Sequence, residues 1–282
     1  MDCIDSRLTA FTNLTSPTVA TVSGPTAGDG LNGCALGRSK YTWTLTSDLG
    51  ATAAQIVYSA QVPSPIPASS TFRNDAALSG TTMPGVVDGE RTLTATANRT
   101  VTAAVPIPTK TRLSPSGSAV PGETVTWRVT VPIPVGVNLY EARILDTLPT
   151  QLGTAAAATF TVSCGTGWTD PCPTATRLSA PAGSPQVLGV YLDDIAAAST
   201  QRILYLDVTS VVATSVAATN ATATNTARIS WNTTDSTPPT TAVAGTATSA
   251  NATATVDIRH PLVTVAKAVS GAGTPKAQHE IF

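Results

Sequence analysis

Charge is scarce in this sequence. Asp, Glu, Lys and Arg make up 12% of the 282 residues, against about 25% in an average soluble protein. Sixteen basic and seventeen acidic side chains nearly cancel, to a net charge of -1. Without a positive field the chain lacks what phosphate recognition needs, which excludes nucleic acid as a partner and a polybasic hold on a membrane surface. Histidine is rarer still, with two in the whole chain, so little acid–base chemistry is available near neutral pH. There is no G-x-S-x-G, and neither His260 nor His279 lies beside a nucleophile motif, which excludes a Ser-His-Asp hydrolase. No apolar run reaches the roughly 18 residues of a membrane-spanning helix. Asp2 and Asp5 stand where a basic leader would begin, so no export signal is expected within this stretch. No CxxC occurs and no His sits at ligand spacing, while Asp193-Asp194 lacks the Asp-rich loop of a calcium hand. The expectation is no metal, no cofactor and no enzymatic activity.

Threonine is abundant, at 50 residues, more than one in six. Thr and Val are β-branched and favour strands. Thr124 to Val131 alternate polar with apolar, as a half-buried strand must. The only alanine cluster, Ala155–Ala158, is too short for a stable helix. Twenty Gly and 21 Pro punctuate the alternating runs, and many short strands between turn signals predict an all-β fold of sandwich type.

Four cysteines remain. Cys164 and Cys172 bracket a short loop and form the stronger candidate pair, and elimination leaves Cys3 with Cys34. Disulfides would imply an oxidising compartment; four free, buried thiols are the alternative.

The chain also repeats. Asp48 to Val62 matches Asp194 to Val208 at a constant offset; Phe72-Arg73-Asn74-Asp75-Ala76 matches Ala223-Thr224-Asn225-Thr226-Ala227; Thr100-Val101 and Pro106 match Thr255-Val256 and Pro261. Continuing the last offset places Thr109 on Thr264 and Arg112 on Lys267. The repeat predicts one complete module at 107–261, an incomplete one at 1–106 that matches a unit from just after Pro149, and the opening of a third at 262–282. The joints, Pro106-Ile107-Pro108 and Pro261-Leu262, are short and stiff, so the modules should form a rod excerpted from a longer array.

Within the complete module, Pro121-Gly122-Glu123-Thr124-Val125-Thr126-Trp127 opens a strand, Asp146-Thr147-Leu148-Pro149 closes another, and Asn225-Thr226-Ala227 comes late. This order resembles the Ig-like repeat domains of Gram-positive surface proteins, including the isopeptide-forming domains of fimbrial shafts and adhesins. The resemblance implies tandem Ig-like β-sandwiches at a bacterial cell surface, with neighbouring modules of the same chain as partners. It also implies a self-made cross-link, in which a first-strand Lys attacks a late Asn and an acid shuttles the proton. Asp146 and Asn225 match the acid and the amide. The repeat places Arg112 at the nucleophile position; arginine stays charged and cannot serve. Lys110 is two residues away on the same face and could serve in a different register. The alternative is a salt bridge between Arg112 and Asp146. Lys267 has its partners outside this excerpt, and Asn74 is the amide of a unit whose first strand is missing.

Two functions follow from these expectations: a structural stalk segment, or an adhesin segment that binds a sugar or host protein through an exposed loop. Trp168, inside the Cys164–Cys172 loop, is the one aromatic placed for such contact; Trp43 and Trp127 lie in alternating strands and read as core. Asn13, Asn98, Asn220, Asn232 and Asn251 begin N-x-S/T sequons, which arise readily by chance in a Thr-rich chain.

Overall fold

The computed structural model describes residues 1–14, 19–30, 34–45, 55–83, 88–215 and 221–260. The expected opening of a third module at 262–282, with Lys267 and His279, lies outside them. The described residues are all-β. In chain order the strands are β1 (Asp2–Asp5), β2 (Thr9–Leu14), β3 (Val19–Ala27), β4 (Arg38–Leu45), β5 (Val57–Gln61), β6 (Ile66–Pro67), β7 (Thr71–Thr81), β8 (Thr92–Thr102), β9 (Thr109–Ser114), β10 (Thr124–Ile133), β11 (Val137–Thr147), β12 (Thr159–Cys164), β13 (Thr176–Leu178), β14 (Val187–Ile195), β15 (Arg202–Val211), β16 (Ala221–Asn232), β17 (Ala247–Thr248) and β18 (Ala252–Ile258). The alanine cluster ends in strand β12, and Thr150–Leu152 form a single 3-10 turn.

Residues 107–260 build two antiparallel sheets. One runs β12-β15-β10-β9; the other runs β13-β14-β11-β16, with β17 and β18 both paired to β16. The alternation of β10 and β15 puts Val125, Trp127, Val129, Val131 and Leu204, Leu206, Val208 inside, facing Ile144, Leu188, Val190, Leu192 and Ile229 of the other sheet. The outer face carries the polar half of the pattern. There, Arg128 is directly opposite Asp207 and donates to both its oxygens at 2.7 Å.

Among the described residues, 1–106 share part of this strand arrangement. A five-stranded sheet runs β3-β4-β1-β7-β8, and β2 pairs with β5 in a separate ribbon. Strand β1 lies between β4 and β7 as β11 lies between β14 and β16. Asp2 is opposite Ala76 and Asp146 is opposite Ala227, each two residues past an Asn of the repeat. The strand register therefore carries the correspondence back from Pro149 to Asp146. Nothing among the described residues stands where β9 and β10 stand in the second unit.

The two parts meet through buried structure. β6 adds in parallel to β11, with Ile66 N–H donating to the Gly136 carbonyl at 3.1 Å and Ala68 N–H to Asn138 at 3.0 Å. Ile66, Ala68 and Phe72 join the same apolar cluster as Val137, Leu139 and Trp231. The Trp231 indole N–H donates to the Ala68 carbonyl at 3.2 Å. Both cysteine pairs are bonded: Cys3–Cys34 (Cα–Cα 5.1 Å) ties β1 to the loop before β4, and Cys164–Cys172 (5.7 Å) closes the loop after β12.

Trp231 is fully buried and spans the joint, so Trp231→Ala should cost about 3–5 kcal/mol, read from denaturant unfolding. By loop entropy, opening the disulfide that spans 31 residues should cost about 3.7 kcal/mol, and the one that spans 8 about 2.5 kcal/mol. Cys→Ser pairs measured under the same conditions check that order.

Candidate functional site

Lys110 enters the core from β9, an edge strand, opposite the buried Val129. Asp146 comes from β11 and Asn225 from β16, in the facing sheet. Lys110 Nζ donates to Asp146 Oδ2 at 2.7 Å, and both side chains are fully excluded from solvent. Asn225 is also fully buried. Its amide lies against the Asp146 carboxyl, yet neither its oxygen nor its nitrogen makes a hydrogen bond of regular geometry, and Asp146 Oδ1 is likewise without a partner. The three side chains divide the interior. Along β16, Ala223 belongs to one apolar cluster and Ala227 to another, with Asn225 between them; along β10 the division falls between Trp127 and Val129.

Burial acts on this group in one direction. It pushes the Lys110 amine below the usual lysine range, with Asp146 opposing. It pushes the Asp146 carboxyl above the usual carboxylate range, with Lys110 and Asn225 opposing. Both shifts favour neutral forms, a free amine beside a protonated acid. A free amine is a nucleophile, and a protonated acid can polarise an amide carbonyl.

Arg112 is not part of this group. It is only half-buried, and its Nη2 donates to the Ser116 carbonyl at 3.0 Å. The residue that enters is Lys110, one pleat earlier. The expected Arg112–Asp146 salt bridge is therefore replaced by Lys110–Asp146.

A second acid–amide pair occupies the corresponding place in residues 1–106. Asn74 Nδ2 lies 3.3 Å from Asp2 Oδ2 and donates to the Tyr58 hydroxyl at 2.6 Å, and that hydroxyl donates to the same Asp2 oxygen. Asp2 Oδ1 and Asn74 Oδ1 are buried without a partner. Sequence reasoning identified Asn74 but passed over Asp2. The available signal was Met1-Asp2-Cys3-Ile4 set against Leu145-Asp146-Thr147-Leu148, an Asp between apolar residues without the proline that marks the second copy.

Elsewhere, Glu141, Asp194 and Asp235 bring carboxylate oxygens within 4.8 Å of one another, a set that could hold a divalent cation. Glu141 is buried; its Oε1 accepts from Ser236 N–H, and its Oε2 has no protein partner. Trp168 is half-buried, donates its indole N–H to the Ile203 carbonyl at 2.7 Å, and lies 4.4 Å beneath the Arg202 guanidinium. Its ring is committed to packing over the loop, which disfavours a ligand-binding role.

No family model and no curated protein matches the sequence. Among solved structures the chain is similar to the C-terminal domain of the Streptococcus agalactiae antigen I/II polypeptide BspA, with 11% identity, TM-score 0.40, and 92% of this chain and 83% of that one covered. It is similar to the Corynebacterium diphtheriae major pilin SpaA, whose structure points to a modular pilus assembly stabilizing isopeptide bonds, with 16% identity, TM-score 0.33, and 68% of this chain and 47% of that one covered. A further similarity is to AvmM, which catalyses macrocyclization in alchivemycin A biosynthesis, with 9% identity, TM-score 0.33, and 56% and 92% covered.

Removing one member of the buried pair strands the other. Asp146→Ala should destabilise the 107–261 unit by about 3–5 kcal/mol, whereas Arg112→Ala should change stability by less than about 0.5 kcal/mol, as for a surface position. Denaturant midpoints of the two variants decide between Lys110 and Arg112 as the partner of Asp146.

Proposed function

We propose that this chain is a structural, load-bearing segment of a longer bacterial cell-surface or fimbrial protein, and that its 107–261 module is locked by an amide bond between Lys110 and Asn225. The observation that carries this reading is the solvent-free Lys110–Asp146 contact beside an amide with no other hydrogen-bond partner. An ion pair this deep is poor stabilisation by itself, because desolvation of both charges offsets their attraction. The same geometry is what an acyl transfer needs. Neutral Lys110 Nζ adds to Asn225 Cγ, the Cγ–Nδ2 bond breaks, and ammonia leaves. Asp146 lends its proton to the amide and receives one back, so the acid is regenerated and no external reactant is consumed.

The bond joins a residue at the start of the unit to one near its end, and it joins one sheet to the other. Neighbouring modules of the same chain, with units at 1–106, 107–261 and 262–282, are the partners. The two disulfides support an extracellular location, since such bonds persist in oxidising surroundings.

The intact mass of the purified chain tests this directly. The expected value is below the sequence mass by about 17 Da for lost ammonia, in addition to about 2 Da for each disulfide. Lys110→Ala and Asn225→Ala should each restore the 17 Da; a wild-type chain short only by its disulfides refutes the reading. Under force, the residues between 110 and 225 should stay hidden in the wild type. Lys110→Ala should release roughly 115 residues, or about 400 Å of contour length.

A further inference from the structure

Glu141 stands at a break in two strand ladders. β11 shifts register against β14 between Leu139 and Ala142, and against β16 between Tyr140 and Arg143. Glu141 falls inside both shifts and has no opposite residue in either neighbour. Its φ of 42° is the left-handed turn by which a bulge re-aims a side chain. The backbone N–H of Glu141 donates to Asp194 Oδ1 at 2.7 Å, and Glu141 Oε1 accepts from the Ser236 N–H. The end of β14 and the segment after β16 are thereby drawn to one point, where Glu141, Asp194 and Asp235 bring one carboxylate oxygen each within 4.8 Å of one another. Glu141 is 1% exposed, and its Oε2 is buried with no protein partner. Asp194 and Asp235 are exposed. Among the described residues none of the three makes an ion pair. The buried Arg143 guanidinium donates instead to Asn232 Oδ1 at 3.0 Å and to the Glu141 carbonyl at 3.4 Å. Three carboxylates against this one guanidinium leave an excess of negative charge that matches a divalent cation. A buried carboxylate oxygen left without a partner is costly, and such an ion would satisfy it.

We propose that Glu141, Asp194 and Asp235 bind a calcium ion, with Glu141 Oε2 as the buried ligand, and that the ion pins the segment after β16 to the bulge of β11. The inference stands on these residues alone and is independent of the amide proposed at Asn225. The donors select the cation. All three are carboxylate oxygens, hard ligands that suit calcium or magnesium rather than zinc or copper. Two oxygens that each touch one calcium ion at about 2.4 Å lie at most about 4.8 Å apart, the limit within which this set falls. Magnesium holds its ligands at about 2.1 Å in near-ideal octahedral order, which a bulge and two exposed side chains do not impose. Calcium accepts irregular geometry, with water in its remaining positions. Three carboxylates, two of them exposed, suit the weak affinities of extracellular modules, with Kd on the order of 0.1–1 mM. The site lies beside the joint between the two parts of the chain. Val137 and Asn138, just before Glu141 on β11, pair with β6, and Trp231, just before the Asp235 segment, donates to the Ala68 carbonyl. Calcium held here would brace the ends of β11 and β16 that receive β6.

The test uses the full 282-residue chain, stripped with EDTA and titrated with calcium chloride by isothermal calorimetry, with magnesium chloride for comparison. The expected result is one saturable calcium site, at least about tenfold tighter than magnesium, and a thermal midpoint that rises with calcium. Glu141→Gln keeps the shape of the buried side chain and should abolish binding. Asp235→Asn carries the test if Glu141→Gln misfolds, because Asp235 is exposed and makes no ion pair. It should weaken calcium binding by at least about tenfold and leave the midpoint in EDTA unchanged. Calcium should also slow proteolysis between residues 233 and 246 in the wild type and not in Asp235→Asn. Absence of both binding heat and a midpoint shift at about 10 mM calcium, ten times the weakest affinity expected, overturns the inference. Equal calcium affinity in the wild type and Asp235→Asn places the ion elsewhere and overturns it too. Equal affinity for magnesium overturns calcium as the occupant.

Discussion

A lysine and an aspartate with no access to water lie in the middle of this sandwich, and the arrangement of the second unit follows from them. Nothing solvates them but each other and Asn225, so the strands that carry them cannot slide or separate without exposing a charge to hydrocarbon. The pair sits where the apolar interior divides in two, between Trp127 and Val129 on one sheet and between Ala223 and Ala227 on the other. A hydrophobic trio there would join the two clusters into one core. Low dielectric strengthens the pair's attraction and raises the cost of each charge alone. The relief available is neutralisation, and burial pushes both groups that way. The proposed amide would complete it, because it would remove an amine from the core and offer the orphaned Asp146 oxygen a new N–H.

Much of this was legible in the sequence, and the part that was not has a single cause. Alternation in Thr124–Val131 identified strand β10 and its inward face, because side chains change sides at every residue. The resemblance pointed to Asn225 and the repeat carried it to Asn74; cysteine spacing pointed to Cys164–Cys172, and elimination left Cys3–Cys34. The nucleophile was ambiguous between Lys110 and Arg112 because a two-residue slip leaves every side chain on its own face. Pattern fixes the face, and only the pairing partner fixes the position along it. Here the partner of Lys110 is Val129, and a register shift between Thr126 and Trp127 resets the ladder just beyond Arg112. A bulge of that kind leaves no mark on the polar–apolar alternation. The two-residue strand β6 escaped for a related reason: it is too short to carry a period, so its addition to β11 could be seen only in three dimensions.

The two units together separate what a sequence pattern specifies from what it does not. β8 and β18 share an alternating Ala/Thr/Val sequence and the same relation to the Asn-bearing strand. One is buried on its inner face and the other is open along its length. Local sequence determines which side of a strand is apolar, and its covering is supplied by strands remote in the chain. Over β8 no such covering is seen among the described residues, and the Tyr58 hydroxyl bonds the Asp2 carboxyl. Tyr58, pushed above the usual phenol range by burial and by its bond to Asp2, stays neutral there. It gives Asp2 Oδ2 a hydrogen-bond partner.

The position of the proposed cross-link in the chain would decide what force can do to the module. Load entering at residue 107 reaches Lys110 after three residues. With the proposed amide in place it would pass to Asn225 and so bypass most of the fold. What remains between Asn225 and the end of β18 is the second half of β16, the short β17 and β18. β18 is held to β16 by seven register pairs, from Ala221 opposite Ile258 to Ala227 opposite Ala252. Val256 and Ile258 anchor it from within, packed against Val125 and Trp127. Under load the β16–β18 pair would be held by these hydrogen bonds and this burial. Asn225 lies within that ladder, opposite Ala254. The proposed covalent anchor would therefore fall on the strand that needs it, and extension beyond that lock would require β18 to leave both its partner strand and the core.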